Sequence, residues 1–91
     1  MRELLMIVEK PFKIYGKGTT YAGVLESTVK AGDRVVIVAD TGEFHAPIWR
    51  VETFAKTLEI GEKGQNVGLF FSYDHVLPTN GKVKIYKILD E

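Results

Sequence analysis

The chain has 91 residues, 12 basic and 12 acidic, and no net charge. That fits one small domain, residues 1–91, with no room for a second, and 45% hydrophobic with 26% charged residues excludes a disordered chain. Zero net charge removes global steering toward nucleic acid or an anionic membrane, and the absence of cysteine excludes thiol catalysis, disulfides and cysteine-ligated zinc.

Met1-Arg2-Glu3 leads into the apolar run Leu4–Val8, which stops at Glu9. The run is too short for an export signal or a membrane span, so the expectation is a cytoplasmic protein without a membrane partner. Gly16-Lys17-Gly18-Thr19 predicts a tight turn between strands. Its phosphate readings fail. Gly18 stands where a P-loop needs Ser or Thr, Pro11 stands where its first glycine belongs, and Tyr21 ends the dinucleotide pattern. Lys30-Ala31-Gly32-Asp33 is the next turn, and Arg34–Val38 reads as a buried strand. Asp40-Thr41-Gly42-Glu43 turns the chain again.

Ile48–Glu59 divides the signals. Val51, Phe54, Ala55 and Leu58 fall at i, i+3, i+4 and i+7 between Pro47 and Gly61, which is a helical stripe. Trp49, Thr53 and Thr57 lean toward strand. After Gly61–Gly64, Val67, Leu69 and Phe71 alternate with Gly68 and Phe70. Asn80-Gly81 is the strongest hairpin signal of the chain, and Lys82-Val83-Lys84-Ile85 alternates strictly, with one face wet. Short strands between regular turns, without a long helix, predict an all-β barrel or sandwich.

Catalytic patterns are missing. His45 and His75 have no histidine partner at ligand spacing, Ser27 and Ser72 carry no nucleophile signature, and nothing in the sequence gathers the glutamates into an acid–base pair. The expectation is a protein that is not an enzyme, with no metal and no cofactor. Two groups interleave lysine with aromatics: Lys10, Phe12, Lys13, Tyr15 and Lys17, and Lys82, Lys84, Tyr86 and Lys87. Such groups bind single-stranded nucleic acid on small barrels. They also solubilise strand edges.

Three stretches in order and spacing resemble the second domain of translational GTPases, of which elongation factor Tu is the type member. They are Phe12-x-Ile14-x-Gly16-Lys17-Gly18-Thr19, then Gly23-x-Leu25-Glu26 with Val29-Lys30-Ala31-Gly32-Asp33-x-Val35-x-Ile37-Val38, then Val51-Glu52-x-Phe54-x-Lys56-x-Leu58 running to Gly61-x-x-Gly64-x-Asn66-Val67-Gly68-Leu69. The resemblance implies a six-stranded closed Greek-key β-barrel of the translation-factor domain 2 type. It implies a strand over Ile48–Phe54 and an extended arm and turn over Lys56–Gly64. It implies no GTP chemistry, because that belongs to a separate domain and this chain has neither a P-loop nor N-K-x-D. Met1 opening on the first strand and the charged finish Asp90-Glu91 favour a free-standing copy of the barrel.

The family's barrel helps hold the terminal adenosine of aminoacyl-tRNA. Carried over residue by residue, the apolar shelf is Ile14, Gly16, Thr20 and Phe70, with Lys17 and Gly18 in the same loop, and the glutamate over the base is Glu52. The departures are specific. Thr20 replaces a valine, Ala55 replaces an arginine with nothing nearby offering its fork of donors, and Ser72-Tyr73 replaces Arg-Gly. The expected partners are the tRNA acceptor end or ribosomal RNA, or a translation-associated protein if RNA binding has been lost; DNA is not expected. A second candidate partner surface is the loop carrying Tyr73, His75, Val76 and Leu77, where the family is polar.

Overall fold

The computed structural model describes residues 1–54, 56–72 and 76–89. It is built from eleven antiparallel strands, with no helix among the described residues. They are β1 (Arg2–Ile7), β2 (Lys10–Ile14), β3 (Gly18–Val24), β4 (Val29–Lys30), β5 (Arg34–Ala39), β6 (Gly42–Pro47), β7 (Arg50–Thr53), β8 (Lys56–Leu58), β9 (Ile60–Gly61), β10 (Asn66–Ser72) and β11 (Lys84–Ile88). A four-stranded sheet has the order β1-β11-β5-β6, and a five-stranded sheet the order β2-β3-β10-β7-β8. Strands β4 and β9 form a small third sheet. The strand pairing is not one closed ring of six.

Alternation along the strands makes the core. Leu5, Met6, Val35, Ile37, Ala46 and Ile85 face inward from the four-stranded sheet, and Tyr21, Val51, Val67, Leu69 and Phe71 from the five-stranded one. The sheets join where the chain passes from one to the other. Met6 bridges Leu25 across β1 and β3. Added bulk at Gly23 would meet the Ile7 carbonyl at 2.9 Å, so the strands touch there without a side chain between them. On the other side, β6 runs into β7 and the Trp49 N–H donates to the Phe70 carbonyl.

The turns at Asp40–Glu43 and Asn80-Gly81 part company. Asp40-Thr41 is the two-residue loop of a hairpin, with Ala39 opposite Gly42. Asn80-Gly81 is not one: β10 pairs with β3 and β7, whereas β11 pairs with β1 and β5 in the other sheet. Gly81 instead lies against the Asp40 carboxylate, 3.0 Å from where a Cβ would sit.

The helical stripe over 48–59 is a hairpin. Val51 lies directly opposite Leu58, so the seven-residue spacing is the register of β7 on β8. Phe54, third of the stripe, is at the tip with φ of 49° and its ring fully exposed. Ala55 lies outside the described residues.

Candidate functional site

The site is laid out by register on the outer face of the five-stranded sheet. Phe12, Thr20, Phe70 and Arg50 stand side by side on β2, β3, β10 and β7. Lys10, Ala22, Gly68, Glu52 and Thr57 form the next row. Because strand side chains alternate, all nine share the face turned away from the core. Ile14 and Gly18 form a further row beyond Phe12 and Thr20, at the end of the hairpin.

Arg50 organises this face, and it is the residue the sequence reading missed. Its guanidinium carbon lies 4.5 Å from the centre of the Phe70 ring. Its Nε donates to Glu52 Oε2 at 2.9 Å, the one hydrogen bond it makes among the described residues. A cation stacked on an aromatic face is held by the ring quadrupole and keeps its in-plane donors free. Among the described residues, neither terminal nitrogen of Arg50 nor the second oxygen of Glu52 is engaged in a side-chain hydrogen bond. The signal was in the sequence: Arg50-x-Glu52 is a two-residue spacing, which puts both side chains on one face of a strand.

Phe70 is not an open shelf. It is buried, at 6% exposure, yet stands apart from the core cluster, because the cover is Arg50 on the outside. At that position the surface offers a guanidinium plane backed by a ring.

Beside this pair is a cleft of about 390 Å³, bordered by Thr20, Glu52, Thr53, Phe54, Asn66 and Gly68. Gly68 forms its floor. A Cβ there would come within 3.0 Å of the Thr20 methyl, so glycine keeps the cleft open and lets a ligand approach backbone. Phe54 stands at the rim in a left-handed conformation that costs a bulky residue about 1 kcal/mol or more. An exposed ring on a strained tip beside a cleft was not legible in the sequence, where Phe54 counted toward a helical stripe.

The predicted site residues therefore separate into two places. Thr20 and Glu52 border the cleft, with Phe70 beneath Arg50. Ile14, Gly16 and Gly18 line a different cavity with Val76 and Leu77, joining the loop candidates to the second candidate surface. Lys17 is exposed at the hairpin tip. Gly16 and Gly18 have φ of 75° and 149°, and a Cβ on Gly18 would collide with the Phe71 carbonyl at 2.0 Å, so this loop is the tight turn that two glycines require. Tyr73 and His75 lie outside the described residues. Among the described residues, no three His, Cys, Asp or Glu side chains gather into a metal site, and no helix is long and apolar enough to cross a membrane. No protein-family model matches the chain.

Proposed function

We propose that this chain is a non-catalytic RNA-binding module of the translation-factor domain 2 type, a six-stranded Greek-key barrel that holds the unpaired 3′ end of an RNA on its five-stranded sheet. The observation that carries the reading is Arg50, over the Phe70 ring and tied through Nε to Glu52, which borders the cleft. Two features support the barrel: the Met6–Leu25 bridge, and the passage of β6 into β7 with the Trp49–Phe70 hydrogen bond.

The chemistry follows from the donor set. A cavity of roughly 150 Å³ holds a benzene ring, so the cleft accommodates a base with part of its ribose. The base gains from the guanidinium plane and from Phe54. The free oxygen of Glu52 accepts from a ribose hydroxyl or an exocyclic amine. The terminal nitrogens of Arg50 suit a phosphate, which two parallel donors recognise better than a point charge does.

The test is an amide-shift titration of the labelled chain with an RNA hairpin ending in CCA, at low and moderate salt. Shifts at Thr20, Arg50, Glu52, Gly68 and Phe70 that weaken with salt are expected, because phosphate contacts release counterions. Unmoved amides on this face at millimolar RNA would end the RNA reading.

A further inference from the structure

The opposite end of β2 carries a second cavity, of about 260 Å³, whose lining includes Lys13, Ile14, Tyr15, Gly18, Val76 and Leu77. It shares no lining residue with the Glu52 cleft. Tyr15 is 98% exposed and Val76 85%. The segment that presents Val76 is anchored on its C-terminal side. Leu77 is buried in the core, and the Tyr21 hydroxyl, itself in the core, donates to the Pro78 carbonyl. Val76 is thus held outward on a fastened segment. Phe12 and Ile14 extend the apolar surface along β2, the outermost strand of its sheet, since alternate residues share a face.

The charge on the β2–β3 side of this cavity is one-sided. Lys10, Lys13 and Lys17 are the only charged residues between Glu9 and Glu26. None of the three is in an ion pair among the described residues, whose ion pairs are Arg2–Glu43, Lys30–Asp33 and Arg50–Glu52. A neutral chain therefore places Lys13 in the lining of an apolar hollow and Lys17 at the hairpin tip beside it, with Lys10 farther along β2.

We infer that this end of the molecule docks a short segment of a partner protein carrying one bulky apolar side chain flanked by Asp or Glu. The volume suits one such side chain, since roughly 150 Å³ already holds a benzene ring. Ile14, Val76 and Leu77 are aliphatic, and burying them against another aliphatic or aromatic side chain is favourable in proportion to the area removed from water. Platforms for single-stranded nucleic acid are instead built from several aromatic rings, and among the described residues Tyr15 is the one ring in the lining. The lysines, flexible point charges, meet carboxylates without a fixed geometry. Complementary charge at the rim raises the association rate and rejects basic partners.

The test selects random 12-residue peptides displayed on phage against the full chain, and against its Tyr15→Glu/Val76→Glu variant. Both substitutions fall on exposed side chains, and the amide spectrum of the variant reports that the fold is kept. The expected enrichment is of sequences with Phe, Leu or Ile beside Asp or Glu. An enriched peptide should shift the amides of residues 13–19, 76 and 77 in the unaltered chain, bind at least tenfold more weakly to the variant, and be indifferent to Arg50→Ala. No enrichment, or enrichment of peptides without acidic residues, would overturn the inference. So would single-stranded RNA moving the same amides and displacing the peptide.

Discussion

The two large sheets each carry an arginine over an aromatic ring and beside a glutamate, and the two sites differ in what they leave unused. On the four-stranded sheet Arg2 lies 5.7 Å from the Tyr86 ring and grips Glu43 with both terminal nitrogens, at 3.1 and 3.3 Å. On the five-stranded sheet Arg50 lies closer to its ring, at 4.5 Å, and meets Glu52 through Nε only. A fork spent on a carboxylate is structural surface. On the five-stranded sheet the stem of the fork is fixed and, among the described residues, its tips are unengaged. Arginine, an aromatic ring and glutamate thus recur on both sheets, and the two places differ in which nitrogen is engaged and what lies next to it.

The largest effect expected from breaking this contrast is on stability. Phe70→Ala empties a buried position and removes the seat of Arg50, costing about 3 kcal/mol. Tyr86→Ala, on a ring that is only partly buried, costs clearly less. Parallel urea titrations of the two variants measure the difference, and equal losses would mean that the two cation–ring pairs are equivalent.

Next comes binding. Arg50→Ala should weaken the complex with the CCA-ended hairpin about tenfold or more, the worth of a charged hydrogen bond, whereas Arg2→Ala should leave it unchanged. The titration that maps the site reads both. Arg50→Lys sharpens the point: it keeps the charge and loses the planar fork, so it should recover only part of the affinity and retain the salt dependence.

The smallest effect is on titration. The hydrogen bond from Arg2, and then its charge, hold the Glu43 carboxyl below the ordinary glutamate value. A depressed carboxylate contributes stability above the unfolded value and loses it as the pH falls through the folded one. The contribution is small, because both groups are exposed. Arg2→Ala should move the Glu43 carboxyl titration, followed by carbon NMR, upward to the ordinary value. A Glu43 value unchanged by Arg2→Ala would show that the grip on this sheet is not made in solution.

Much of this architecture is legible in the residues. Alternation marks β10 and β11, the Gly16–Gly18 turn is where two glycines demand one, and Val35 to Ile37 are as buried as an apolar run predicts. The failures have physical causes. Val51, Phe54 and Leu58 imitate a helix because a hairpin of the right length brings i and i+7 together across two strands. Asn80-Gly81 has the chemistry of a two-residue hairpin turn, but its flanking segments belong to different sheets. Local preference cannot register a partner strand that lies far away in sequence. Arg50 was missed for a related reason. Its importance comes from standing opposite Phe70 on another strand, a relation absent from the residues around it.

The all-β class of the fold, the positions of most turns and the burial of Val35–Ile37 can be read from the residues alone. Those follow from periodicity, glycine conformation and the free energy of burying apolar surface, all of which act over a few residues. Only the tertiary structure decided how the strands divide between sheets, and that Glu52 and the Ile14–Gly18 loop border different cavities. It also decided that Arg50 meets Glu52 through Nε, with both terminal nitrogens unengaged among the described residues. These depend on register between distant strands, where a shift of one residue would turn Arg50 and Glu52 from the outer face to the core.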